Sequence, residues 1–203
     1  MAAKLYYFHD PMCSWCWGFA PTWQQLNQSL KNIVDIEYVL GGLAPDSNEP
    51  MPHYMQKTIR GYWEKIENLL GTRFNYNFWT ECQPKRSTYP ACRAVIAAKE
   101  QGKESEMIVA IQKAYYLGAM NPSELDTLVF LADYLKLNIE SFKTSIVSER
   151  IDNELQRQIQ VYRSLSFRGF PSLTLEIEEQ SVPIEVDYQC SDLMYDKIIS
   201  FVR

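Results

Sequence analysis

The sequence has little of what marks a membrane protein, a disulfide scaffold or a nucleic-acid-binding protein. Its 203 residues include 2 histidines, 8 glycines and 5 cysteines, and the net charge at pH 7 is −5. No apolar run approaches the roughly 20 residues that a membrane helix needs. There is no basic stripe, so neither nucleic acid nor an anionic membrane surface is expected as a partner. An odd number of cysteines also fits poorly with a set of structural disulfides.

The N-terminal residues lack the features of a secretory signal. Residues 1–4 lead directly into an aromatic strand, without an apolar signal segment or a cleavage site. We therefore expect a protein of the cytoplasm, where structural disulfides are rare. The length suits one core of substantial size, and we expect a monomer.

The stretch that indicates chemistry is residues 8–19, which read Phe-His-Asp-Pro-Met-Cys-Ser-Trp-Cys-Trp-Gly-Phe. An aromatic strand over residues 5–8 ends at the Asp-Pro dipeptide. Apolar residues then recur at helical spacing, so a helix begins close to Cys13. A strand, a turn, a Cys-x-x-Cys pair and a helix in this order are typical of thiol–disulfide redox chemistry.

The two cysteines of this pair are expected to have different roles. Unpaired N–H groups and the helix dipole at a helix N-terminus favour an anion, so they favour a reactive Cys13 thiolate. Cys16 lies one turn further on, where it can reach Cys13 but is shielded. We expect Cys13 to exchange with substrate and Cys16 to resolve the mixed disulfide. Ser14 and Trp15 lie between the sulfurs and are expected to contact substrate.

Zinc binding is the alternative use of a cysteine pair. No second pair has metal-ligand spacing, since Cys82 and Cys92 are ten residues apart and His9 and His53 are scattered. No metal site is therefore expected. Cys92 is expected to pack as a small apolar side chain and Cys190 to be a free thiol, while a disulfide between Cys82 and Cys92 stays open.

Asp10 and His9 precede the cysteine pair closely. One of them could relay a proton for Cys16 or modulate the Cys13 thiolate. The alternative makes Asp10 part of a strand-ending turn and His9 a surface residue. For His9 the surface position is favoured, whereas for Asp10 both interpretations stay open.

Strand patterns flank a long helical stretch. Residues 36–40 predict a second strand, parallel to the first in a βαβ unit. The apolar spacing changes near residue 50, and successive amphipathic helices are predicted to about residue 165. This divides the chain into an N-terminal part (1–49), a helical insertion (50–165) and a C-terminal part (166–203).

The C-terminal part reads as a hairpin followed by a helix. Residues 172–177 and 181–186 alternate between apolar and polar, and three polar residues separate them. Pro183 predicts that the second of these strands lies at a sheet edge. A final helix is predicted from about Ser191.

Four segments together resemble the DsbA family of thioredoxin-fold proteins, in its FrnE-like branch. The specific feature is the Cys-x-x-Cys pair followed far downstream by Gly-Phe-Pro. The resemblance implies an α/β, thioredoxin-like fold with an all-helical insertion between the βαβ half and the C-terminal ββα half. The segments are residues 10–19, 41–43, 90–95 and 169–172.

The resemblance also implies a site and an activity. It implies that Pro171 is cis and lies against the cysteine pair, with Phe170 presenting its backbone to an extended substrate segment. The implied activity is that of a dithiol–disulfide oxidoreductase or isomerase acting on protein or glutathione thiols. The cysteine pair itself carries the electrons, so no metal or organic cofactor is expected, although glutathione is a possible co-substrate. The Ser-Trp dipeptide replaces the Pro-His of periplasmic members, which leaves the direction of electron flow open.

Two further functions stay open at this point. Kappa-type glutathione transferases and the related glutathione-dependent isomerases share the architecture, but they carry a serine where Cys13 stands and no second cysteine. The third possibility is a redox-gated binding module that uses the helical insertion as its partner surface.

Overall fold

A computed structural model describes residues 3–166, 169–178 and 180–202. Within those ranges the chain forms a mixed α/β fold, which confirms the predicted fold class. The elements in chain order are β1 (Lys4–His9), α1 (Ser14–Leu30), β2 (Asp35–Leu40), α2 (His53–Leu70), α3 (Phe78–Glu81), α4 (Tyr89–Lys99), α5 (Glu104–Tyr116), α6 (Leu125–Tyr134), α7 (Ile139–Ile146), α8 (Glu149–Leu165), β3 (Ser172–Ile177), β4 (Gln180–Ile184) and α9 (Ser191–Val202).

The four strands form one sheet in the order β2-β1-β3-β4. The β1 strand pairs in parallel with β2 and antiparallel with β3, so Phe8 lies between Val39 and Ser172. The β3–β4 hairpin is antiparallel, and β4 is an edge strand that contains Pro183, as the sequence predicts. Because β1 has a neighbour on each side, its C-terminal end, which leads to the cysteines, is held in place.

Two groups of buried apolar side chains lie on either side of the β1–α1 turn. One group belongs to the sheet with α1 and α9, and the other belongs to the helices between β2 and β3. Met12 and Leu40 contribute to the helical group, although Met12 lies in the turn after β1 and Leu40 is the last residue of β2. Tyr38 packs against both groups. The turn that carries the cysteines therefore lies where the two parts of the core meet.

The helix boundaries follow local signals in most places. The Ser148 side chain accepts a hydrogen bond from the Ile151 N–H at the start of α8, and Gly71 ends α2 with a φ of 68°. The short helix α3 occupies four residues of the aromatic segment 72–88 between α2 and α4. None of the helices in the described ranges is long and apolar enough to span a membrane.

His9 is buried, so the expectation of a surface histidine is wrong. It is 0% exposed, and its ring stacks on Tyr7 at 5.0 Å between centroids and meets the edge of Tyr38 at 5.7 Å. The reason is that β1 extends to His9, and residues two apart on a strand share a face, here the buried face of Tyr7. Neither ring nitrogen has a hydrogen-bond partner in the described part of the chain. Burial lowers the pKa of His9 to about 3.

Replacing His9 with Phe should remove part of the loss of stability in acid. The pKa of an unfolded histidine is about 6.5, and the folded value is lower. The neutral ring therefore stabilises the protein fully above pH 6.5, and this contribution is lost as the pH falls toward 3. The slope approaches 1.4 kcal/mol per pH unit, as an order of magnitude. Urea unfolding between pH 7.5 and 5 should show a smaller decrease in unfolding free energy for His9→Phe than for the wild type.

The matched control is His53→Gln, which removes the exposed histidine of α2. This variant should keep the pH dependence of the wild type. Identical slopes for the wild type and His9→Phe would contradict the burial of His9 as a neutral ring.

Gly41 marks a close approach between the end of β2 and Phe170. The Gly41 N–H donates to the carbonyl of His9 at 2.9 Å, which extends the β1–β2 pairing by one step. A Cβ on Gly41 would overlap with the ring of Phe170. Only glycine lets the ring lie against this backbone.

The substitution Gly41→Ala should destabilise the protein by about 1–3 kcal/mol, because Phe170 or the backbone must move. The control is Gly61→Ala in α2, where an added Cβ meets nothing within 4 Å. That change should raise the unfolding free energy by about 0.5–1 kcal/mol through its helix propensity. Urea denaturation measures both effects, and an equally stable Gly41→Ala variant would contradict the packing of Phe170.

Candidate active site

Cys13 is the N-cap residue of α1. Its backbone is extended, its carbonyl accepts the Trp17 N–H at 3.1 Å, and its N–H donates to the Asp10 carbonyl at 3.0 Å. The Asp10–Cys13 turn therefore brings the sulfur to the helix N-terminus, where free N–H groups favour an anion. The side chain is 6% exposed and lines a surface groove. Its Sγ lies 3.6 Å from the carbonyl oxygen of Phe170.

Cys16 lies one helical turn after Cys13 and is fully buried. Burial raises the pKa of Cys16 well above its ordinary value, and contact with Cys13 raises it further. All five cysteines are free thiols in this structure. The two sulfurs of the pair thus differ in access, because Cys13 lines the groove and Cys16 does not.

Asp10 is fully buried, and its carboxylate receives donors from separate parts of the chain. Oδ1 accepts the Met12 N–H at 2.8 Å. Oδ2 accepts the Leu43 N–H and the Thr88 hydroxyl, each at 2.7 Å, and the Cys92 thiol at 3.5 Å. Burial raises the pKa of Asp10, and these hydrogen bonds oppose that rise. The carboxylate therefore joins the β1–α1 turn to the loop after β2 and to the start of α4.

Asp10 combines features of both interpretations that the sequence leaves open. The bond to the Met12 N–H closes the strand-ending turn. Its negative charge is also among the causes that raise the pKa of the Cys16 thiol. His9 is directly adjacent along the chain, but its unpaired ring nitrogens make no contact through which a proton could pass.

Cys92 and Cys82 each donate a hydrogen bond to a different partner. Cys92 is buried, as expected, but its thiol donates to the Asp10 carboxylate. Cys82 is half-buried and donates to the Ala119 carbonyl at 2.9 Å, so it does not pair with Cys92 in this structure. Thr88, whose hydroxyl donates to Asp10, is a site residue that the sequence analysis missed.

The loop that contains Pro171 faces the cysteine pair. The Phe170–Pro171 peptide bond is cis. Tyr162 of α8 holds this loop, because its hydroxyl accepts the Gly169 N–H at 3.1 Å and its ring packs on Phe170 at 4.5 Å between centroids. In the sequence Tyr162 is only one apolar member of a helical stripe, so its contact with the loop had no local signal. Arg168, which precedes Gly169 in the sequence, lies outside the described residues.

A groove of about 470 Å³ opens in front of Cys13. Trp15 is half-buried at its wall, with Tyr188 at 5.5 Å between ring centroids and the Lys65 ammonium 5.7 Å above its ring. Ser14 is buried beside it. The lining residues are Met12, Cys13, Ser14, Trp15, Leu43, Met51, Met55, Thr58, Ile59, Tyr62, Lys85, Arg86, Thr88, Tyr115, Tyr162, Gly169 and Phe170.

This arrangement suits thiol–disulfide exchange at the Cys13 sulfur, with the Cys16 sulfur buried behind it. A second depression, of about 500 Å³ between α4 and α8, contains no cysteine among its lining residues. No cluster of three or more potential metal ligands occurs within the described ranges.

Comparison with known proteins agrees with the fold. The model of a family described as Thioredoxin matches residues 6–189. The ClpXP adapter protein SpxH of Bacillus subtilis (strain 168) is 23% identical over 202 residues, which are 97% of this chain and 66% of that protein. The chain thus spans just under two thirds of the length of this relative.

Solved structures with the same fold include two proteins described by thiol–disulfide activities. A proposed protein disulfide isomerase from Nitrosomonas europaea is 26% identical and superposes with a TM-score of 0.86, covering 100% of this chain and 98% of that one. The cytosolic disulfide reductase DsbM from Pseudomonas aeruginosa is 22% identical with a TM-score of 0.78, covering 98% of each chain. The same reductase has also been solved with GSH.

The family match extends over most of the chain, from β1 to the segment before α9, and it includes both cysteines and the Phe170–Pro171 loop. The DsbA-type structures share the sheet and its helices across nearly their full length. The chain belongs to the Thioredoxin family and has the thioredoxin-like fold of DsbA-type oxidoreductases.

Proposed function

We propose that this protein is a dithiol–disulfide oxidoreductase that uses the Cys13–Cys16 pair. The observation that carries the proposal is the unequal access of the two sulfurs. Cys13 lies at a helix N-terminus on the groove, and Cys16 is fully buried one turn behind it. This is the arrangement that a nucleophilic thiol and a resolving thiol require.

The exchange balances within the pair and its substrate. The Cys13 thiolate attacks one sulfur of a substrate disulfide, so a Cys13–substrate disulfide forms and the other substrate sulfur leaves as a thiolate. Cys16 then loses its proton and attacks Cys13 Sγ, which releases the second substrate thiolate. The substrate gains two electrons, and the protein gains a Cys13–Cys16 disulfide. The reverse sequence oxidises a dithiol, and no metal or organic cofactor takes part in this proposal.

The loop opposite the pair is proposed to hold the substrate chain. The Phe170 carbonyl lies 3.6 Å from Cys13 Sγ, so this backbone runs beside the reacting sulfur. An extended substrate segment that pairs with it would bring its own cysteine to Cys13. Pro171 lacks an N–H and therefore donates no hydrogen bond to the Cys13 thiolate. Trp15 provides apolar surface at the groove wall.

The raised pKa of Cys16 bears on the direction of electron flow. A buried thiol whose charged form is disfavoured keeps its proton in the reduced state.

The first measurement is the reduction potential of the pair, by equilibration with glutathione buffers followed by thiol trapping. A value near the −270 mV of thioredoxin supports a reductase, and a value near the −120 mV of DsbA supports an oxidant or isomerase, both figures being approximate.

Substitution of each cysteine tests the division of roles. Cys13→Ser should abolish turnover of a disulfide substrate, because the nucleophile is lost. Cys16→Ser should form the Cys13–substrate disulfide and then stop, so a mixed disulfide accumulates that mass spectrometry detects. Cys190→Ser is the matched control, since Cys190 is a half-buried thiol outside the groove, and it should retain the wild-type rate.

The same Cys16→Ser variant separates the proposal from a kappa-type glutathione transferase or isomerase. Such an enzyme activates the glutathione thiol and has no use for a resolving cysteine. Full activity of Cys16→Ser toward a glutathione-dependent reaction would favour that function. The structure of DsbM with GSH supports glutathione as a ligand under both functions.

A partner-binding function is the second candidate, and the name of the relative SpxH favours it. If this chain also binds ClpXP, the exposed apolar side chains of the helices between β2 and β3 offer a surface for it, including Tyr54 of α2 and Phe130 and Tyr134 of α6. Binding to purified ClpXP would be measured by calorimetry with the reduced and the oxidised protein. A redox-gated module should bind in one state only, and no binding in either state would contradict this candidate.

A further inference from the structure

The groove in front of Cys13 is positively charged, although the protein as a whole is acidic. The chain carries a net charge of −5. The described residues that line the groove include Lys85 and Arg86 but no aspartate or glutamate. The N-terminus of α1, with its free N–H groups, opens onto the same groove. A ligand in this groove would therefore meet two cationic side chains and no carboxylate among the described lining residues.

The two cations of the groove differ in their partners. Lys85 already forms an ion pair, with its Nζ 2.8 Å from Oε1 of Glu124. Arg86 is half-buried, and in the described ranges its side chain forms neither an ion pair nor a hydrogen bond. Arg93 gives the contrast, because its guanidinium is held between Asp46 and Asp152. A partly desolvated guanidinium with five donors and no acceptor is suited to an anionic partner.

The backbone on either side of Arg86 is fixed by hydrogen bonds. The Met51 N–H donates to the Pro84 carbonyl at 2.8 Å, and Lys85 pairs with Pro50 in an isolated β-bridge. On the other side, Thr88 binds Asp10 through its hydroxyl. The guanidinium therefore projects from a held segment that is tied to the same carboxylate as the cysteine turn.

Tyr115 lines the same groove as Arg86 and is buried. Burial raises the pKa of this phenol, while the charge of Arg86 acts in the opposite direction. The phenol is therefore neutral at physiological pH, and no aspartate or glutamate is present among the described residues that line the groove with Arg86.

We infer that Arg86 is a specificity-determining residue that binds a carboxylate of the substrate while the substrate sulfur meets Cys13. The inference rests on the proposed thiol–disulfide exchange and names its substrate class: thiols or disulfides that carry a carboxylate close to the sulfur. A guanidinium binds a carboxylate through two parallel hydrogen bonds, which fixes orientation as well as charge. The carboxylate belongs either to a small tripeptide thiol of the glutathione type or to an acidic residue beside a cysteine in a protein.

The test compares matched disulfide substrates that differ only in the carboxylate. One pair consists of a cysteine peptide with Glu beside the cysteine and the same peptide with Gln. The other pair is glutathione disulfide and the ethyl ester of its glycine carboxylates. For the wild type we expect kcat/KM to be about tenfold higher for the acid of at least one pair. A preference in only one pair identifies the source of the carboxylate.

The variants are Arg86→Gln, Arg86→Lys and Arg73→Gln. Arg86→Gln should remove the preference by lowering the rate for the acid and leaving the rate for its neutral partner. Arg86→Lys should retain only part of it, because an ammonium lacks the planar pair of donors. Arg73→Gln makes the same charge change at an exposed residue outside the groove, so its preference should match the wild type. An equal preference in Arg86→Gln, or none in the wild type, would overturn the inference.

Failure of the proposed function gives a different result. If no substrate turns over and no Cys13–Cys16 disulfide forms, the exchange chemistry is wrong. Calorimetric binding of S-methylglutathione and of its glycine ester then tests Arg86 without any reaction. Tighter binding of the acid that is lost in Arg86→Gln would support the carboxylate site, and equal binding of acid and ester would overturn it.

Discussion

The structure of the site depends on one buried carboxylate. Asp10 lies at the end of the central strand, and its two oxygens accept hydrogen bonds from the β1–α1 turn, the loop after β2 and the start of α4. A carboxylate buried without such donors would cost several kcal/mol, so these partners and the carboxylate require one another. The result is that two segments distant in the chain, the loop after β2 and the start of α4, are held against the turn that carries Cys13.

This constraint also explains the unequal environments of the Cys13 and Cys16 sulfurs. The turn closed by Asp10 places Cys13 at the helix N-terminus, where it lines the groove, and the helix then carries Cys16 into the interior. Burial, contact with Cys13 and the charge of Asp10 disfavour the Cys16 thiolate. The helices between β2 and β3 complete the groove. Its lining includes Ile59 of α2, Tyr115 of α5 and Tyr162 of α8, together with Thr88, which directly precedes α4.

Local sequence patterns predict the elements well because each pattern reflects a single strand or helix. The edge position of β4 follows from one proline, and the N-cap of α8 follows from one serine. Errors occur where a residue depends on its distant neighbours. His9 reads as a surface residue beside an Asp-Pro turn, yet the strand extends to it and its ring stacks on the ring of Tyr7.

The sequence by itself determined the order of the strands and of the longer helices, the position of the Cys-x-x-Cys pair at the start of the first helix and the position of the Phe170–Pro171 loop along the chain. These features depend on periodicity, on turn residues and on a motif of four residues. Only the tertiary structure decided which side chains surround the pair. Thr88 and Cys92 reach Asp10 across 78 and 82 residues of chain, and Arg86 lines the groove beside them. Contacts over such separations leave no periodic signal, because they arise from the packing of whole elements against one another.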